Sequence, residues 1–129
     1  MLLLLLISIG LPLDSPWLAF VIILLFSCSV ATFISHTVAS LILMPIIYSI
    51  GETLNIPQAL VIGSAFSISA AMGLPFSSFP NVNSLLIVDD FQKSYLTVGD
   101  FLVSGMLLSV ISVILIATLG YALVNWIMV

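Results

Sequence analysis

The chain has 129 residues, 63% of them hydrophobic and 5% charged, with a mean hydropathy of +1.46 and a formal net charge of −4. Soluble domains carry about 25% charged residues, so the composition excludes one and indicates an integral membrane protein built of helices. The acidic balance rests on Asp14, Glu52, Asp89, Asp90 and Asp100 against Lys93 alone, which leaves no basic patch for nucleic acid or for a polybasic lipid contact.

Residues 1–15 read as the end of a preceding membrane helix and a linker. The run MLLLLLISIG is apolar but has no basic start and no cleavage site, so it is not read as a signal peptide. Asp14 or Ser15 can cap the next helix, and Pro16 suits its first position. Residues 16–50 read as a re-entrant helical hairpin: an apolar helix from Pro16 to about Phe33, a polar tip at 34–37, and a return run from Val38 to Ile50 that Pro45 should kink. That return run, about 13 residues or 20 Å, is short for a hydrocarbon core about 30 Å thick. A straight rod through residues 16–50, about 50 Å long, is too long for the same core. Cys28 is the only cysteine and reads as a small buried hydrophobe.

Residues 51–57 read as a surface turn. A discontinuous helix is expected over 57–88, broken at 73–80, where Gly73, Pro75 and Pro80 interrupt the apolar run. Its first half is rich in small residues, Gly63, Ser64, Ala65, Ser67, Ser69, Ala70 and Ala71, which let membrane helices approach closely. Residues 89–94 read as an aqueous loop. Thr97 with Asp100 forms a capping pair for a final transmembrane helix over 97–128, uninterrupted, with Trp126 as an interfacial anchor. Lys93 is the lone vote for topology; it places residues 89–97 in the cytoplasm and the hairpin mouths opposite.

Breaks in spanning helices free backbone N–H and C=O groups that find no water in lipid, so they persist where they line a cavity or are buried in protein. Paired broken segments point to a transporter's binding site. Each break bares one helix N-terminus, with unpaired N–H groups and partial positive charge, and one C-terminus of opposite sign. The N-terminus at Thr37 and Val38 suits an anion, as does the one opened by Pro80 and Asn81. Carbonyls near Ile34, with the oxygens of Gly73, Ser77 and Ser78, suit a small hard cation. Local chemistry leaves other roles open: Ser35 and Thr37 can bond their own helix turn, His36 can bridge two helices, Asn81 and Asn83 can act as interhelical glue, and Pro75 and Pro80 can simply kink the chain. With one His, one Cys and no intramembrane acid there is no nucleophile–base pair and no metal cluster, so an enzyme is not expected.

The stretch TFISHTVASLILMPI resembles the second hairpin tip of the divalent anion:sodium symporter (DASS) family, where Ser-Asn-Thr is usual. AAMGLPFSSFPNVNSLLI resembles the unwound segment of the helix that follows it, where Pro-Pro-Asn is common among dicarboxylate carriers. The histidine and the Phe-Pro-Asn version are similar to the eukaryotic low-affinity phosphate transporter branch, which often carries an SPX domain ahead of its membrane part. The resemblance runs from about Pro16 onward and covers only the last portion of a family member.

It implies an all-α membrane protein: the C-terminal part of an inverted-repeat transporter, in which substrate sits between two hairpin tips and the complete protein is a homodimer with an elevator-like motion. Carried over, Ser35, His36, Thr37, Pro80 and Asn81 bind the anion, and Ile34, His36, Ser77 and Ser78 the cation. Ala31 stands where dicarboxylate carriers often place a hydroxyl, and His36 replaces an amide. Imidazole is a poor sodium ligand, so the coupling ion is sodium held by carbonyls or a proton, and no other cofactor is implied. The expected function is cation-coupled transport of inorganic phosphate in the plasma or vacuolar membrane. A dicarboxylate or sulfate symporter of the same family is the alternative, and a non-transporting membrane packing subunit is the alternative of another class. The partners implied are the anion, the rest of the transporter with its first repeat, a second copy and the bilayer.

Overall fold

The computed structural model describes residues 15–128. The expected end of a preceding helix, and Asp14 as a cap, lie outside the described residues. Helix α1 is Pro16–Phe33, α2 is His36–Leu54 and α3 is Pro57–Ser69. A single 3-10 turn, Pro75–Ser77, precedes α4, Phe79–Leu86. Helix α5, Val98–Leu115, continues through a π-helical turn, Ile116–Gly120, into α6, Tyr121–Met128. Among the described residues the only extended pairing is an isolated bridge between Val88 and Ser94.

Several boundaries differ from the sequence-based expectation. Only Ile34 and Ser35 leave helical geometry at the hairpin tip, Ile34 extended and Ser35 at φ −55° and ψ 136°. His36 and Thr37 form the first turn of α2, where N–H groups have no i−4 partner and polar residues are at ease. Ser15 holds the cap position of α1 without a side-chain hydrogen bond. Helix α2 carries Pro45 inside it and runs four residues past Ile50. It closes in a Schellman pattern, with Asn55 left-handed at φ 59°, its N–H bonded to the Glu52 carbonyl at 3.3 Å and the Ile56 N–H to that of Gly51 at 3.0 Å. A Cβ on Gly51 would lie 2.5 Å from the Pro57 Cα, so this tight corner requires glycine. At 19 residues, about 28 Å, α2 is longer than the return run expected and long enough to cross the core. Helix α3 stops at Ser69, earlier than the expected break, and α4 ends at Leu86 rather than Val88.

The directions of the helices follow from which residues touch. Phe20 packs on Gly63 and Ser67 Oγ donates to the Leu24 carbonyl at 2.8 Å, so α1 and α3 run parallel. His36 meets Ala71 while Gly51 meets Pro57, so α2 runs antiparallel to α3. Helices α1 and α2 therefore form an antiparallel hairpin whose tip lies beside the break after α3. The rod from α5 onward runs antiparallel to α1, since Trp17 Nε1 donates to the Ala117 carbonyl at 3.1 Å while Met106 lies at Gly73 beside Thr32.

The interior holds Phe20, Leu24 and Leu60 at 0% exposure together with Ser27, Ser64, Ser67 and Ser77, while Leu41, Phe66, Phe79 and Val103 are largely exposed. Small polar residues inside and large apolar ones outside is the pattern of helices packed in lipid, where close van der Waals contact and interhelical hydrogen bonds replace the hydrophobic drive. Three segments, Pro16–Phe33, His36–Leu54 and Val98–Val124, are long and apolar enough to cross a membrane. The chain is an all-α membrane protein.

Candidate functional site

The hairpin tip and the helix break are joined by hydrogen bonds. His36 Nε2 lies 2.7 Å from the Ala71 carbonyl. A carbonyl oxygen only accepts, so Nε2 is the protonated nitrogen of the ring. The same carbonyl accepts from Ser77 Oγ at 3.2 Å, and Ser77 Oγ lies 2.7 Å from the Leu74 carbonyl. Asn81 Nδ2 donates to Ser77 Oγ at 3.0 Å and reaches Leu74 at 3.5 Å. A chain of polar contacts thus runs from the tip through Ala71 and Ser77 to the first turn of α4.

From the side of α5, Ser109 Oγ accepts from the Met72 N–H at 2.9 Å and lies 3.0 Å from the Ala70 carbonyl and 2.8 Å from that of Gly105. Gly105 makes this approach possible: a Cβ there would collide with the Met72 carbonyl. The carbonyls and N–H groups freed when α3 ends are therefore largely taken up by His36, Ser77, Asn81 and Ser109. This is the bracing that irregular backbone needs when it is buried in protein.

At the tip the reverse holds. Ser27, Ser29, Thr32, Ser40, Ser49 and Thr53 all bond a carbonyl three or four residues back. Ser35 and Thr37 do not, because the chain leaves helical geometry at Ile34 and Ser35 and gives them no preceding turn to bond; both are exposed and their hydroxyls carry no hydrogen bond among the described residues. The ladder of α2 begins with the Ala39 N–H on the Ser35 carbonyl at 2.8 Å, which leaves the N–H groups of His36, Thr37 and Val38 without a partner among the described residues. The Ile34 carbonyl is likewise unbonded among the described residues. Helix α4 opens with Phe79 and Pro80, and its ladder begins at Val82 on the Ser78 carbonyl at 3.3 Å. Pro80 has no N–H, so this second terminus offers fewer donors than the first.

The structure thus brings His36, Ser77 and Asn81 into one bonded group, with Ser35 and Thr37 beside His36 and Ser78 and Pro80 between Ser77 and Asn81. Ser77 is fully buried and Asn81 is 9% exposed; Ser77 Oγ is spent on internal bonds, so its carbonyl is what it can offer a cation. Sequence reasoning missed Ala71, Leu74 and Ser109. The two carbonyls carry no side-chain signal. The pair Gly105 and Ser109, four residues apart on one helix face, was the one available hint.

No family model matches the chain. It is similar to the inorganic phosphate transporter PHO87 of Saccharomyces cerevisiae, 39% identical over 97 residues, which are 73% of this chain and 10% of that protein. It is also similar to the low-affinity phosphate transporter PHO90 of the same yeast, 40% identical over 97 residues, 73% of this chain and 11% of the relative. An uncharacterized transporter, C3B8.04c of Schizosaccharomyces pombe, is 36% identical over 106 residues, 78% of this chain and 12% of its own length. The chain therefore spans about a tenth of the length of the curated relatives it matches. With the apolar helices described above, these likenesses make it an integral, multi-pass membrane protein.

Proposed function

We propose that this chain supplies half of the binding site of a cation-coupled secondary transporter for inorganic phosphate. The observation that carries the reading is the meeting of two helix breaks at the Ala71 carbonyl, with unpaired N–H groups and free hydroxyls at Ser35 and Thr37 beside it. Free N–H groups at a helix N-terminus favour an anion, and the names of the two yeast relatives favour phosphate over a dicarboxylate or sulfate. In this reading Ser35, His36 and Thr37 bind the anion, and Pro80 and Asn81 shape the opposite wall. The carbonyls of Ile34, Ser77 and Ser78, with His36 beside them, face the coupling cation where it is sodium; a proton is the alternative coupling ion. Coupling then follows from charge: each ion lowers the cost of holding the other in a pocket of low dielectric.

The hairpin is re-entrant in this reading. Its tip is level with Gly105–Ser109 of a helical rod whose 27-residue apolar stretch, Val98–Val124, is about 40 Å long, so the tip lies within the membrane's depth. The chain belongs to the divalent anion:sodium symporters, in the SPX-associated phosphate branch. A first repeat with its own hairpin completes the site, the complete protein is a homodimer, and it works in the plasma or vacuolar membrane.

The test is radiolabelled phosphate uptake by the complete transporter in cells without phosphate uptake of their own. Saturable uptake that disappears when the cation gradient is collapsed, and that excess succinate barely slows, is the expected result. Uptake no greater than in control cells, or stronger inhibition by succinate than by unlabelled phosphate, defeats the reading. A packing subunit without transport predicts that Ser35→Ala is silent while bulk at Gly63 disrupts assembly.

A further inference from the structure

The bond between His36 and Ala71 fixes more than the position of the ring. Because Nε2 must carry the proton that the Ala71 carbonyl accepts at 2.7 Å, the neutral imidazole has its lone pair on Nδ1. No described residue donates a hydrogen bond to Nδ1. His36 is half-buried in the first turn of α2, where its chain neighbours Ser35 and Thr37 have hydroxyls without described partners and the opening N–H groups are unpaired among the described residues. Those N–H groups only donate, and the two hydroxyls donate or accept. Among its side chains the tip therefore offers donors to an oxyanion and one group, Nδ1, that can only accept; the other free acceptor, the Ile34 carbonyl, is the one assigned above to the cation.

We propose that His36 Nδ1 is the acceptor by which this site separates an oxyanion that keeps a hydroxyl from one that has none. The inference rests on the phosphate reading of the site above. Phosphate near neutral pH is H2PO4− or HPO4(2−), and each carries at least one P–OH. Sulfate at the same pH carries none. A P–OH placed against Nδ1 donates a hydrogen bond, whereas a sulfate oxygen there sets one lone pair against another and leaves Nδ1 unpaired. Sites that hydrogen-bond a substrate hydroxyl reject analogues lacking it strongly, because the buried partner is left unsatisfied. The repulsive pairing adds selectivity against the wrong anion. The role of the Ala71 carbonyl is to hold the tautomer, as a partner on the other nitrogen commonly does for a working histidine.

The experiment uses the complete transporter and competition against radiolabelled phosphate. Arsenate, which keeps an As–OH, is expected to compete about as well as phosphate. Sulfate and monofluorophosphate, a dianion of similar size with fluorine in place of the hydroxyl, are expected to compete at least about tenfold less well. His36→Leu, which removes Nδ1 and supplies no other acceptor while Ser77 Oγ still donates to the Ala71 carbonyl, is expected to close most of that gap while transporting phosphate more weakly. A merely structural histidine would change uptake of all anions together and leave the gap as it was. The proposal is overturned if monofluorophosphate competes as well as arsenate on the unaltered protein, or if His36→Leu transports with the gap intact. Should His36→Leu fail to reach the membrane, the anion series on the unaltered protein decides alone. Absence of phosphate uptake by the unaltered protein overturns the transport reading instead, so the two failures are distinct.

Discussion

The hairpin tip and the break after α3 are both interruptions of apolar helices, yet they spend their polar groups in opposite ways. At the break, Ser77 is fully buried, Asn81 nearly so, and their side chains bond one another and the carbonyls of Ala71 and Leu74. At the tip, Ser35 and Thr37 are exposed and their hydroxyls bond nothing described. His36 is the one side chain shared by both, with Nε2 committed to the break. The difference teaches that a break in a membrane helix has two separable components. One part of the freed backbone is braced so that the fold survives, and another is left bare so that a ligand can complete it.

The comparison breaks most severely where bracing depends on backbone contact. Gly105→Leu drives a side chain into the Met72 carbonyl, which cannot swing aside as a side chain would. Overpacking typically costs about 1–3 kcal/mol and more when backbone must shift, so this variant should be largely lost from the membrane, read as the amount of protein at its destination. Next comes Asn81→Leu, which removes the donor to Ser77 Oγ and the long contact to the Leu74 carbonyl, while both groups keep their partners within the 3-10 turn. A cost of about 0.5–1.5 kcal/mol is expected, seen as a lowered midpoint on heating in detergent, and uptake should fall further than the folded amount because Asn81 also shapes a wall of the proposed site.

The tip should behave in the opposite way. Ser35→Ala with Thr37→Ala removes exposed hydroxyls that hold nothing in the fold, so stability should stay within about 0.5 kcal/mol. Phosphate uptake should fall more than about tenfold, since hydrogen bonds to a charged group are worth about 1.5–3 kcal/mol and each 1.4 kcal/mol is tenfold. A loss of heat stability equal to that of Asn81→Leu would erase the distinction between the two regions.

How much of this could be read from the sequence depends on where the signal sits. Polar residues and proline inside apolar runs announce both breaks, because lipid tolerates neither without compensation. The exact limits are less legible. His36 and Thr37 look like loop residues, but the first turn of a helix has free N–H groups and welcomes them. Ala70, Ala71 and Met72 look like helix, yet their backbone groups are drawn off by partners on α2, α5 and the 3-10 turn. Residues whose role is played by a carbonyl leave no mark in a sequence, so the acceptors at Ala71 and Leu74 were invisible, while the side chains that bond them were not.

The same blindness explains the final helix, where an uninterrupted rod was expected and a π-helical turn is found at Ile116–Gly120. Across it the Tyr121 N–H is shared between the Ile116 carbonyl, five residues back, and that of Thr118, three back, and passes over that of Ala117. Trp17 Nε1, from the opening turn of α1, donates to this carbonyl at 3.1 Å. The indole thus pairs a group that the widened turn releases, as side chains do at helix irregularities in membranes. Trp17→Phe keeps the aromatic body and deletes the donor. Interhelical hydrogen bonds in membranes average about 0.6 kcal/mol, so the midpoint should drop only slightly and uptake should persist. Amide exchange should register what the midpoint hardly does: protection at Tyr121 should rise if the turn relaxes to an ordinary α-helix once its carbonyl has no other partner. Unchanged exchange from Ile116 to Tyr121 would mean that the turn is set by its own residues and that the tryptophan merely uses it.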